Sequence, residues 1–229
     1  MRIDALIFDL DNTLWEVEPV ILRAEERLAE FLAQSYPRVL ERHTLATMRA
    51  LRTRLVIEHP AMQHDFTWLR LELLRRLASE AGYPEDMARQ AFDVFFRARN
   101  EVVLYDDVLP ALTTLHTRCR LFALSNGNAD LAAIGLSRFF ERSLCAREAG
   151  CLKPDPRIFC RLLDDAGLDA AHVVHVGDDP EADIEGARGA GLRAVWLNRQ
   201  GTPWPASTAA PELHIRSLGE LDAVLTGLS

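Results

Sequence analysis

Residues 5–14 read Ala-Leu-Ile-Phe-Asp-Leu-Asp-Asn-Thr-Leu, and the change of character inside this stretch decides the fold. Up to Phe8 it is apolar, short, and β-branched or aromatic, which is the signature of a buried strand. A strand in the middle of a parallel sheet is apolar on both faces. Asp9 and Asp11, one residue apart and followed by Thr13, cannot continue that core. They stand where the chain leaves the sheet, at the edge where open α/β sheets bind their ligands.

Outward from there, residues 16–103 read as helix throughout, with no strand pattern. Pro19 opens a helix whose Ile21, Leu22, Leu28, Phe31 and Leu32 share a side and which should stop near Pro37. Further helices are expected over about residues 45–57, over 66–81 up to Gly82, and after Pro84. From Leu104 short apolar runs alternate with helical patterns. Strands are expected at 121–124, 142–145, 173–176, 194–197 and 213–215, with helices at 108–117, 129–136, 156–166, 181–190 and 218–225. A Pro-rich loop spans 201–211. Strands alternating with helices make right-handed βαβ units and a parallel sheet. The expected architecture is α/β: a Rossmann-like doubly wound core from residues 1–15 and 104–229, with an inserted all-helical cap domain at 16–103.

Composition narrows the function classes. The chain has 229 residues and a formal charge of −8, which argues against nucleic acid or an anionic membrane surface as partner. No apolar run has the length of a membrane span, and Asp4 and Asp9 interrupt the early apolar stretch, so no signal peptide is expected. Cys119, Cys145, Cys151 and Cys160 form no C-x-x-C pair, so reduced thiols and a cytoplasmic chain are expected. Of the 26 basic residues, every one except Lys153 is arginine. A site that keeps lysine in such a chain calls for what arginine lacks, a compact point charge on a thin stem.

Three of the expected strands end in polar groups: Asp9 with Asp11, Ser125 with Asn126, and Asp178 with Asp179. Parallel strands put all their carboxyl ends on one edge, so these groups meet in one crevice. Lys153-Pro154 precedes a helix that can deliver the ammonium to the same edge. His175, within a strand, reads as a packed core histidine. His59 and His64 read as surface residues of the helical block.

This set resembles the haloacid dehalogenase-like hydrolases, in the branch whose helical cap follows the first motif. The likeness rests on four motifs in the family's order: Asp9-Leu10-Asp11-Asn12-Thr13, Ser125, Lys153-Pro154, and Gly177-Asp178-Asp179 with Asp183. The resemblance implies a Mg²⁺-dependent phosphatase acting on a small phosphorylated metabolite through an aspartyl-phosphate. Asp9 is then the nucleophile, and Asp11 the acid for the leaving oxygen and later the base for water. Thr13, Ser125 and the backbone of Asn126 hold the phosphoryl group, aided by the helix N-terminus near Ala129. Lys153 bridges Asp9 and phosphate. Mg²⁺ takes a carboxylate oxygen of Asp9, the Asp11 carbonyl and the Asp178 side chain, with Asp179 and Asp183 orienting its waters.

Asp11 argues against dehalogenation, because a departing halide needs no proton. The cap has no lysine for Schiff-base chemistry. A sugar-phosphate mutase, another hydrolase of the family such as a haloacid dehalogenase, and a catalytically silent phosphate-binding protein are the alternatives, and the chain is expected as monomer or homodimer. Local runs such as Ser125-Asn126-Gly127-Asn128-Ala129 and His64-Asp65-Phe66-Thr67-Trp68 resemble the branch acting on flavin mononucleotide and 5-amino-6-(5-phosphoribitylamino)uracil. Trp15, His64, Trp68, Arg70 and Asn128 are the residues expected to meet such a heterocycle or its ribityl hydroxyls.

Overall fold

The computed structural model describes residues 3–206 and 209–227. Met1, Arg2, Ser207, Thr208, Leu228 and Ser229, which fall in the expected core segments and Pro-rich loop, lie outside the described residues. The chain divides into two compact units, Met1–Glu16 with Val103–Ser229, and Val17–Val102.

Among the described residues the first unit is built on six parallel strands: β1 Ala5–Phe8, β2 Arg120–Ser125, β3 Arg142–Cys145, β4 Val173–Gly177, β5 Arg193–Leu197 and β6 Leu213–Ile215. Their order is β3-β2-β1-β4-β5-β6, a Rossmann-like doubly wound sheet with helices on both faces. Every residue of β1 is fully buried, as an apolar strand between two neighbours requires. The order reverses at β1: β2 and β3 lie to one side, β4 to β6 to the other. That is the switch point where open sheets form a crevice. Register brings the polar strand ends together. Phe8 lies opposite Ala123 of β2 and Val176 of β4, so Asp9, Ser125 and Asp178 leave the sheet side by side.

Helices α6 Val108–Leu115, α7 Leu131–Ile134, α8 Ala146–Ala149, α9 Pro156–Ala166, α10 Gly186–Gly189 and α11 Leu221–Thr226, which follow the five helices of the second unit in the chain, flank the sheet. Ile158, Phe159 and Leu162 of α9 pack with Ile7, Phe122 and Leu124.

The second unit is all helix: α1 Val17–Ser35, α2 Pro37–Arg42, α3 Leu45–Glu58, α4 Phe66–Glu80 and α5 Asp86–Arg99. Its core joins Leu28 and Leu32 of α1 to Leu69, Leu73, Leu74 and Leu77 of α4 and Ala91 and Phe95 of α5. Thr44 and Asp65 cap α3 and α4 by accepting from the amides of Thr47 and Trp68. Gly82 follows α4 at φ +69°, a conformation open to glycine at no steric cost.

Three expected elements differ. Pro37 ends α1 and also begins α2, because a first helical residue needs no amide proton. The helix expected at 129–136 is only the four residues of α7. The helix expected at 181–190 opens as a π-helical turn, Pro180–Glu185, before α10. Among the described residues no helix is long and apolar enough to cross a membrane.

Candidate active site

The site grows from the ends of β1, β2 and β4. Asp9 follows β1 directly and is 6% exposed. The chain then turns sharply: the Leu14 amide donates to the Leu10 carbonyl at 2.8 Å, and the Asn12 amide to the Trp15 carbonyl at 2.7 Å. Asn12 takes a left-handed φ of +61°, which asparagine tolerates better than most residues. This turn carries Asp11, which bridges to Trp15. Its carboxylate accepts from the Trp15 indole N–H at 2.9 Å, and Trp15 itself is fully buried. The expectation that Trp15 meets a ligand is therefore corrected: the indole is core, and its polar edge orients Asp11.

Lys153 reaches the centre from the loop before α9. Its ammonium donates to Asp9 Oδ1 and to Asp183 Oδ1, both at 2.6 Å, and the residue is 4% exposed. Two things fix it there. The Asn126 side chain brackets its backbone, accepting from the Lys153 amide at 2.8 Å and donating to the Lys153 carbonyl at 3.1 Å. The only lysine is thus tied through asparagine to the end of β2.

Asp183 is fully buried and has three donors: Lys153, the Asp179 amide at 3.0 Å, and His175 Nε2 at 2.9 Å. His175 is buried as expected, but it is more than filling. Burial holds its imidazole below the ordinary value, against the pull of Asp183, and the neutral ring donates to Asp183 through Nε2. Gly177 permits this approach. A Cβ there would overlap the Asp183 carboxylate. Gly177→Ala is expected to destabilise the chain by about 1–3 kcal/mol in urea unfolding, the cost of forcing atoms into a filled space. It also displaces Asp183 from Lys153.

Asp179 accepts from the amides of Glu181 and Ala182 and so caps the turn that carries Asp183. That leaves Asp178 facing the crevice. The Trp196 indole donates to the Asp178 carbonyl at 2.8 Å and fixes its backbone. Thr13 is fully buried, with its hydroxyl 3.4 Å from Asp178 Oδ1. Ser125 Oγ accepts from the Gly127 amide at 2.9 Å, which leaves its own proton free to donate. The expected contribution of a helix N-terminus near Ala129 is corrected: Asp130 already occupies the amides of Ala132 and Ala133.

Sequence reasoning missed Arg199. Its guanidinium grips the Thr13 carbonyl at 2.9 and 3.2 Å, pairs with both oxygens of Asp107 at 2.9 and 3.0 Å, and lies 4.0 Å from the Tyr105 ring centroid. Asp107 also accepts from the Ser217 hydroxyl and the Leu218 amide. This knot holds the loop after β1. No sequence signal separates Arg199 from the many other arginines.

The electrostatics ask for a cation. Carboxylate oxygens of Asp9, Asp178 and Asp183 lie within 4.8 Å of one another. Burial holds Asp9 well above the ordinary carboxylate range, with Asp183 and Asp178 adding to the effect and Lys153 opposing it. Burial and Asp183 likewise raise Asp178 to about 7. Asp183 goes the other way, pulled below the ordinary range by Lys153 and His175 against its burial. One ammonium against three carboxylates leaves a deficit of positive charge. Hard oxygen donors with that deficit suit a hard divalent cation.

The doubly wound sheet thus gathers a buried carboxylate–lysine pair and an acid cluster at its switch point. The chain belongs to the haloacid dehalogenase-like hydrolases, whose family model matches residues 3–191. It is 29% identical to the 5-amino-6-(5-phospho-D-ribitylamino)uracil phosphatase YigB of Escherichia coli (strain K12), over 98% of this chain and 97% of that one. It is 35% identical to the phosphoserine phosphatase of Thermus thermophilus, over 71% of this chain and 68% of that one. A solved structure described as a 2-haloacid dehalogenase from Pseudomonas syringae pv. tomato DC3000 superposes with a TM-score of 0.93 at 38% identity, covering 99% of this chain and 100% of that one.

Proposed function

We propose that the protein is a Mg²⁺-dependent phosphatase that hydrolyses a small phosphorylated metabolite through an aspartyl-phosphate on Asp9. The phosphatase relatives and the family match support a phosphoric monoester hydrolase. The observation that carries the reading is Asp11, two residues past the nucleophile and oriented by the Trp15 indole.

In this reading an Asp9 oxygen attacks phosphorus in line, and the ester oxygen departs. An alkoxide leaves poorly, so Asp11 gives it a proton. Asp11 then takes a proton from the water that cleaves the acyl-phosphate, since the second step reverses the demand. Lys153, held at Asp9 and Asp183, offsets charge between two anions brought into contact. Ser125 and the Asn126 amide supply donors to the phosphoryl oxygens. Mg²⁺ on Asp9, Asp178 and the Asp11 carbonyl would neutralise the developing charge. Asp179 and Asp183 orient the surroundings of the ion.

The second reading is dehalogenation, favoured by the likeness to the solved 2-haloacid dehalogenase. There Asp9 would displace halide from carbon, and Asp11 would have no leaving group to protonate. The two readings separate in one assay. With an aryl phosphate and Mg²⁺ the expected result is phosphate release that stops in excess chelator, with no chloride released from 2-chloropropionate. Chloride release without phosphate release would reverse the assignment.

Among phosphate substrates, the likeness to YigB across almost the whole chain supports a riboflavin-pathway phosphate. A panel of phosphorylated metabolites that includes flavin mononucleotide tests it, and a preference of kcat/KM for flavin-type substrates is expected. Of the residues expected to meet a heterocycle, Trp15 is core. Arg70 is 6% exposed and paired with Glu25. Trp68 packs edge-on against His59 at 5.0 Å.

A further inference from the structure

The helical unit contains a second cluster of charges, with Glu25 and Arg70 buried, Arg52 half-buried and Arg49 half-exposed, that the chemistry at Asp9 leaves unused. α1 packs on α5, α5 on α4, and α4 on α3, which leaves a cleft between α1 and α3. The cleft measures about 670 Å³, within the range of small-molecule sites. Ile21 and Leu22 of α1 and Val56 and Ile57 of α3 form its apolar walls. Leu22 is 42% exposed and Ile57 76%.

The inner end is polar. Glu25, 4% exposed, accepts from Arg49 Nε at 2.6 Å and faces Arg70 Nη1 at 3.6 Å from behind. Arg70 lies flat on Phe95, 3.8 Å from the ring centroid. Those two guanidiniums already satisfy Glu25. Arg52 is a third, half-buried beside them, 5.6 Å from the Phe66 ring centroid. It forms an ion pair with no carboxylate among the described residues. Glu18 at the mouth of the cleft adds one further acid, and the cluster still carries an excess of positive charge.

Arg52 is half-buried beside the buried Glu25–Arg70 pair, so water offsets its unmatched charge only in part. Burial holds Arg70 at about 10, with Arg52 adding to the lowering and Glu25 opposing it, and burial brings Arg52 below its ordinary value against the pull of Glu25. An incoming anion matches that charge. Guanidinium forks match a carboxylate in plane and spacing, and the walls offer apolar surface to whatever carries it.

We propose that the α1–α3 cleft is a binding site for a small organic carboxylate, held by Arg49 and Arg52 with its apolar body against Ile21, Leu22, Val56 and Ile57. The site stands apart from the phosphatase reading, because it needs no metal and no turnover.

Benzoate titrated into the metal-free full chain provides the probe, with the arginine side-chain Nε–Hε resonances followed by NMR. Saturable shifts at Arg49 and Arg52 are expected, with none from benzamide, which has the same shape and no charge. Arg52→Gln should weaken benzoate binding about tenfold, the value of one good charge-assisted contact. Arg52 makes no hydrogen bond that the fold needs, so the variant stays folded. Absent or unsaturable shifts, equal shifts from benzamide, or unchanged affinity in Arg52→Gln would each overturn the site. An aryl phosphate assay then tells the source of the carboxylate. Competitive inhibition by benzoate that Arg52→Gln relieves assigns it to the substrate. Binding without inhibition assigns it to a separate metabolite.

Discussion

Asp9→Asn abolishes turnover, with kcat against an aryl phosphate down by at least about 10⁴-fold, a loss on the scale seen when an enzyme's nucleophile is removed. The amide has nearly the same shape, so the change isolates chemistry from packing. A neutral amide oxygen does not attack phosphorus, and it holds a hard cation less well than a carboxylate does. The fold should persist. Asp9 is buried, and its carboxyl is held well above the ordinary range, so removing its charge removes a repulsion with Asp178 and Asp183. Thermal unfolding of the metal-free variant is therefore expected at or above the wild-type midpoint. A variant that unfolds early would instead make Asp9 a structural partner of Lys153.

Lys153→Met is the second large effect, and it separates the two roles of the buried ammonium. Methionine keeps the length and apolar stem but leaves Asp9 and Asp183 facing each other without the cation that now lies 2.6 Å from each. Breaking a buried pair from one side costs about 3–5 kcal/mol, so urea unfolding of the metal-free chain should move down by that amount. Turnover should vanish as well. The double variant Lys153→Met with Asp183→Asn removes one of the two stranded charges. It should recover part of the stability and none of the activity. Recovery of both would reduce Lys153 to a structural counter-ion. Lys153→Arg keeps the charge in a broader, planar head. Turnover should still fall by about 10²-fold, the cost of displacing a positioned group by roughly an ångström.

These residues also show how far the sequence can be read. β1 was legible because an apolar run that breaks on two aspartates has few other meanings in an α/β chain. Register did the rest: once Phe8 pairs with Ala123 and Val176, the three polar strand ends must adjoin. Lys153 stood out by composition alone. The partners that aim these groups were not legible. Asn126 acts through the backbone of Lys153, and Trp15 through the edge of a ring whose bulk is core. His175 looked like filling because its strand is apolar, and only the fold reveals Asp183 beneath it. Arg199 is one arginine among many until the loop after β1 closes on it. The short α7 follows from a local competition: Asp130 takes the free amides that a longer helix would have aimed at a ligand.

The central claim is that Asp9 carries the phosphoryl group during turnover. Acid-quenching the Mg²⁺-loaded enzyme during hydrolysis of an aryl phosphate, followed by borohydride reduction and peptide mapping, tests it directly. An aspartyl-phosphate on Asp9 is reduced to homoserine, so the account predicts homoserine at position 9 in the wild type and none in Asp9→Asn. An unmodified Asp9 peptide recovered from enzyme trapped in active turnover would contradict it.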